Sequence, residues 1–162
     1  MTLIEEKLES KTIHYWYADG MSEVVAQDEV TNADTVILPG NVKVYSEGDY
    51  IGEASIAQQS PREEFKIGTR TAYDVKAKKK PIAREIEKAG ITRGKLRRAY
   101  KYRLEIENFS KRQIEIDIKD RIPHSVSTSI EVKVDWEKLT CTQELGVMEW
   151  QERIEPKAKL DL

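Results

Sequence analysis

Two stretches in the middle of the chain alternate strictly between apolar and polar side chains. Tyr100, Tyr102, Leu104 and Ile106 interleave with Lys101, Arg103, Glu105 and Glu107, and Ile114, Ile116 and Ile118 interleave with Glu115, Asp117 and Lys119. Successive side chains of an extended backbone point to opposite faces, so a period of two predicts strands with one dry and one wet face. Antiparallel sandwiches take such strands, whereas parallel strands buried on both faces read as continuous apolar runs. No strand–helix–strand rhythm runs along the chain, which argues against a doubly wound nucleotide-binding fold. The expected fold is all-β: an antiparallel β-sandwich, immunoglobulin-like or related.

Weaker signals of the same kind fill in the rest. In Thr12–Tyr17, Ile13, Tyr15 and Tyr17 share one face and Thr12, His14 and Trp16 the other. Ser22–Asn32 reads as a weaker strand, and Phe65–Ile67 and Tyr73–Ala77 as short ones. Val42–Tyr45 and Tyr50–Ile56 flank Ser46-Glu47-Gly48-Asp49, a hairpin with a glycine-containing loop. Asn108-Phe109-Ser110-Lys111 is a polar turn between the two strongest strands, and Pro123 ends the second of them. Ile130, Val132, Val134 and Trp136 alternate as a further strand, and Val147–Trp150 and Leu160–Leu162 close the chain. Residues 1–10 are a short leader with helical potential. Residues 11–162 form one β-rich domain, with a division into packed units of 11–70 and 71–162 open at this level.

The length of 162 residues suffices for a core without disulfides or metals. The start lacks an apolar signal-peptide core, no apolar run reaches a membrane span, and the one cysteine, Cys141, has no partner for a bridge. These features lead us to expect a cytoplasmic protein or a domain cut from a longer chain.

Net charge is −2, but it is unevenly spread. Residues 76–103 hold 12 basic and two acidic side chains, while residues 1–64 hold 4 basic and 13 acidic ones. Asymmetry of this kind points to an interaction surface. The basic stretch reads as a long protruding hairpin across 71–107 with its tip near Lys88–Lys95. Pro81, Ile82, Ala83, Ile86 and Gly90 also fit a short helix over 80–90. The candidate surface is Lys76, Lys78, Lys79, Lys80, Arg84, Arg93, Lys95, Arg97 and Arg98. These cations could track a phosphate backbone with Tyr100 and Tyr102 as stacking faces. Because both tyrosines share a face with Leu104 and Ile106, they are expected in the core, and the charges then protect an exposed edge or dock on a neighbouring copy. Self-association or another protein partner is the favoured reading, and binding of an anionic polymer such as nucleic acid is the alternative.

No motif identifies a reaction. His14 and His124 have no paired ligands for zinc, and Cys141 has no neighbouring base to hold it as a thiolate. The eight glycines are scattered rather than clustered into a phosphate-binding loop. A hydrolase using carboxylates or His124 in a cleft would rest on no motif. No catalytic residue, metal or cofactor is therefore expected. Asn108-Phe109-Ser110 matches a glycosylation acceptor, but it also suits a tight turn between strong strands.

Several short patterns occur in a particular order. They are Leu38-Pro39-Gly40, then Val42 and Val44-Tyr45, then Gly48-Asp49-Tyr50-Ile51-Gly52-Glu53. A basic stretch follows, then Tyr100 to Asn108, then Asp120-Arg121-Ile122-Pro123, and finally Trp150. From about residue 12 to 162 this set resembles the uncharacterised β-rich domain that forms the C-terminal half of mucoidy-inhibitor-A-like proteins. The resemblance implies a β-sandwich-like fold and carries no catalytic residues. Its positions read as structural: Asn108 at a turn, Asp120 and Arg121 paired at a strand end, Gly48 and Gly52 in a tight hairpin. The long proteins of that kind have further regions ahead of this domain and continue beyond the equivalent of Leu160–Leu162. A stand-alone member or an excised domain is expected here, with an open edge suited to pairing with another chain.

Overall fold

The computed structural model describes residues 5–46, 48–89, 95–134, 142–144 and 146–162. In chain order its strands are β1 (Glu9–Tyr17), β2 (Val25–Thr31), β3 (Gly40–Ser46), β4 (Asp49–Ile56), β5 (Glu64–Thr71), β6 (Val75–Ala89), β7 (Lys95–Asn108), β8 (Ile114–Arg121), β9 (Thr142–Glu144), β10 (Val147–Ile154) and β11 (Lys159–Asp161). Among the described residues there is no helix, and so none long and apolar enough to cross a membrane.

The alternation that predicted β8 is visible in its burial. Ile114, Ile116, Ile118 and Asp120 are buried, while Glu115, Asp117, Lys119 and Arg121 lie towards solvent. β8 sits inside a six-stranded sheet of order β5-β2-β1-β8-β10-β9. A second sheet of order β11-β7-β6 covers its inner face. Between them, Trp16, Ile116, Ile118, Met148 and Trp150 from the larger sheet pack with Ala77, Leu104 and Ile106 from the smaller one. This is the expected β-sandwich. Removing such side chains from water is the main favourable term, worth about 1.5–3 kcal/mol for each large one fully buried.

Three sequence expectations change. The leader is not helical where it is described: Glu5–Leu8 have no regular structure, and β1 begins at Glu9, paired with Thr31. The ladder to β2 takes the backbone groups that a helix would have used. Ile130–Val134 form no strand, and Ile130 and Val132 are exposed; Trp136 lies outside the described residues. Alternation permits a strand, but a ladder partner makes one, and both sides of β8 are occupied by β1 and β10. The sheet is also not wholly antiparallel, because β1 and β8 run parallel. That pairing joins residues from both halves of the chain in one sheet.

The polar turn after β7 carries the chain from one sheet to the other, and Asn108 holds the crossing. Its side chain is fully buried. Its amide donates to the carbonyls of Arg112 (2.8 Å), Glu155 (3.1 Å) and Ile154 (3.2 Å), and its Oδ1 accepts from the Ser110 N–H (2.9 Å). A group so enclosed is not available for glycosylation, and the turn reading of this motif holds.

β3 and β4 form a separate two-stranded sheet beside β5. The loop glycine Gly48 has φ +95°, and Gly52 has φ +140° where Ile51 bulges out of register. Both are conformations that glycine adopts at little cost.

Candidate interaction surface

β6 and β7 pair antiparallel from Val75 opposite Asn108 to Ala89 opposite Lys95. Residues 80–89 are thus strand rather than helix. β6 is the outer strand of its sheet, so Pro81 removes no hydrogen bond that a central strand would need. The register slips between Pro81 and Ala83, leaving Ile82 as an extra residue. That bulge changes which side chains share a face. Before it, odd-numbered β6 residues lie with the core: Ala77 opposite Ile106, Lys79 opposite Leu104, Pro81 opposite Tyr102. After it, even-numbered ones do: Arg84 opposite Tyr100 and Ile86 opposite Arg98.

The basic residues therefore do not form one patch. Lys76 and Lys78 lie on the outer face directly opposite Glu107 and Glu105, and Lys80 bonds Glu105 at 2.6 Å. The Lys80 ammonium, with Lys159 behind it, holds the Glu105 carboxyl below its usual range. On the inner face, the Lys79 Nζ donates to Asp120 on β8 at 2.6 Å, with side chains only 16% and 13% exposed. Asp120 thus reaches across the sandwich to Lys79 rather than pairing with the side chain of its neighbour Arg121. Its Oδ1 also accepts the Arg121 backbone N–H. Arg97 and Arg98 lie on opposite faces. Lys95 is in β7, and Arg93 lies outside the described residues.

The expectation that Tyr100 and Tyr102 belong to the core is overturned. They share the face of Leu104 and Ile106 but are 44% and 49% exposed. Along this face burial falls off from Ile106, which is fully buried, to Tyr100. Cations attend both rings: the Lys79 Nζ lies 4.6 Å from the Tyr102 centroid, and the Arg84 guanidinium 5.7 Å from that of Tyr100. Ile82 and Ile86 are also exposed. The result is a row of aromatic, aliphatic and guanidinium groups. Sequence reasoning found the strand but misread the row, because alternation reports which residues share a face and not how far the opposing sheet extends.

Among the described residues no three His, Cys, Asp or Glu side chains are grouped to hold a metal. His14 is buried; its Nδ1 donates to the Glu115 carbonyl at 3.2 Å, and burial pushes its pKa below the usual value. His124 is exposed beside the Gly146 turn, and Cys141 lies outside the described residues. A groove of about 260 Å³ between β4 and β5 is lined by Val44, Gly52, Lys66 and Gly68 among others, without a titratable cluster.

Residues 6–162 match the family described as "Domain of unknown function (DUF4139)", and the chain belongs to that family. No curated protein and no solved structure matches it.

Proposed function

We propose that this member of a family of unknown function is a non-enzymatic β-sandwich interaction module that self-associates through the outer half of the β6–β7 ladder. The observation that carries the reading is the exposed row of Tyr100, Tyr102, Arg84 and Ile86 on a face that is core elsewhere. Tyrosine and arginine are the residues that interfaces concentrate, and lysine is one they deplete. The chain supplies a complement of its own, since residues 1–64 hold 13 acidic side chains against 4 basic ones. Part of this proposal is the likeness to the C-terminal domain of mucoidy-inhibitor-A-like proteins, where such a module would make contacts at the end of a longer chain. The anionic-polymer reading is weaker. Lys76, Lys78 and Lys80 face glutamates or bond them, and Lys79 is bound to Asp120, so these four cations are already engaged within the sandwich.

Light scattering across a concentration series tests the proposal. We expect the average mass to rise with concentration at low salt and to fall back at about 0.5 M salt, where the Debye length is only a few ångströms. Tyr100→Ser/Tyr102→Ser weakens the association without lowering the melting temperature. A chain that stays monomeric throughout, or one retained on heparin at low salt without self-associating, sinks the reading.

A further inference from the structure

The second copy must present something to this row, and the β3–β4 hairpin has matching chemistry. Its inner face carries Val42 and Val44 towards β5, where Val44 lies beside Gly68. Its outer face pairs Asn41 with Ser55, Lys43 with Glu53 and Tyr45 with Tyr50. Tyr45 and Tyr50 are 59% and 54% exposed, and their ring centroids are 5.5 Å apart. Among the described residues no other two exposed aromatic rings pack against each other. The hairpin is acidic as well: Lys43 stands against Glu47, Asp49 and Glu53 in residues 40–56. An exposed tyrosine pair on an acidic hairpin therefore complements an exposed tyrosine row on a basic one. The bulges at Ile51 and Ile82 set which side chains each hairpin turns outward together.

We infer that the β3–β4 hairpin of a second copy seats on the outer half of the β6–β7 ladder, with Tyr45 and Tyr50 against Tyr100 and Tyr102, and Asp49 against Arg84. This rests on the self-association reading and specifies it. The Arg84 guanidinium carbon lies 5.7 Å from the Tyr100 centroid, and a planar guanidinium can stack a second ring while its N–H donors meet a carboxylate. Both tyrosine sets present large rigid surface at small entropic cost. Charge of opposite sign sets the register and speeds encounter.

Sedimentation equilibrium of the full chain at low salt tests the pairing, with the variants Arg84→Glu, Asp49→Lys, Tyr45→Ala/Tyr50→Ala, and Arg84→Glu combined with Asp49→Lys. Each disrupted contact raises the dissociation constant about tenfold or more. The combined charge variant re-forms the pair with its signs exchanged and returns towards the parent. Every substituted side chain is exposed, so thermal melting serves as the fold control. If the Asp49 and Tyr45/Tyr50 variants associate as the parent does while Arg84→Glu does not, the hairpin is not the occupant and association through the ladder stands. If the parent chain itself stays monomeric, the self-association reading falls, and this pairing with it.

Discussion

At the scale of single residues, the buried polar groups show which interactions the fold depends on. Asn108 could be replaced by no residue of similar size without loss, because its amide serves three carbonyls and its oxygen a fourth partner. Even aspartate would turn an acceptor towards those carbonyls. His14 has a different consequence. It is buried on β1 between β2 and β8, and desolvation outweighs the Glu115 carbonyl and the nearby Asp74 and Asp28, while Arg70 works with it. Its folded pKa lies below the ordinary 6.5, so the unfolded chain takes up the proton first. Stability from this group is complete above pH 6.5 and is lost as the pH falls below it. Urea unfolding across this range is expected to show that decline, and His14→Gln to flatten it. An unchanged slope in the variant would place the pH dependence elsewhere. Neither role was legible beforehand. The sequence shows Asn108 at a turn and His14 in a strand, but two of the Asn108 partners, Ile154 and Glu155, lie at the end of β10, distant in the chain.

At the scale of elements, β6 shows how an exposed strand edge is kept from pairing indiscriminately. It is the outer strand of its sheet and one of the two longest in the structure. A long, regular edge is a template for another chain's backbone. Pro81 offers no N–H, Ile82 bulges out of register, and Lys76, Lys78 and Lys80 line the strand. These devices place the proposed association on the face of the ladder and keep it off the edge. Pro81→Val restores a donor and β-propensity at the middle of the edge. We expect faster aggregation, read as turbidity on prolonged incubation, with little change in thermal stability. If Pro81→Val aggregates no faster than the parent, the edge is protected by other means. The lysine run that stood out as a binding patch thus divides between cross-strand pairing, a tie to the other sheet and edge protection.

At the scale of the whole molecule, the parallel pairing of β1 with β8 joins the two halves of the chain in one sheet. β1 lies between β2, its neighbour in the chain, and β8, about a hundred residues later. The core draws Trp16, Val24 and Ala26 from the first half and Ile116, Ile118, Met148 and Trp150 from the second. Fragments 1–70 and 71–162 each lose one side of a ladder and much of that core. Prepared separately, they are expected to lack the far-ultraviolet circular dichroism of a folded sheet, and to recover it when mixed. A 71–162 fragment that folds on its own would overturn this expectation.

Period-two patterning determined β7, β8 and the all-β class. Glycine and polar residues at 46–49 determined the β3–β4 hairpin, and Pro123 the end of β8. These are local consequences: side-chain direction in an extended chain and backbone freedom at a turn depend on a few neighbouring residues. The same patterning failed for Ile130–Val134 and for the burial of Tyr100 and Tyr102. A strand needs a free ladder partner, and a buried face needs an opposing layer. Tertiary structure alone decides both. The same is true of the basic segment. Its composition was plain in the chain, but the register between β6 and β7, one bulge and the carboxylate of Asp120 determined which cations are neutralised. What remains exposed on the core-side face of the ladder is a short row of Tyr100, Tyr102, Arg84 and Ile86.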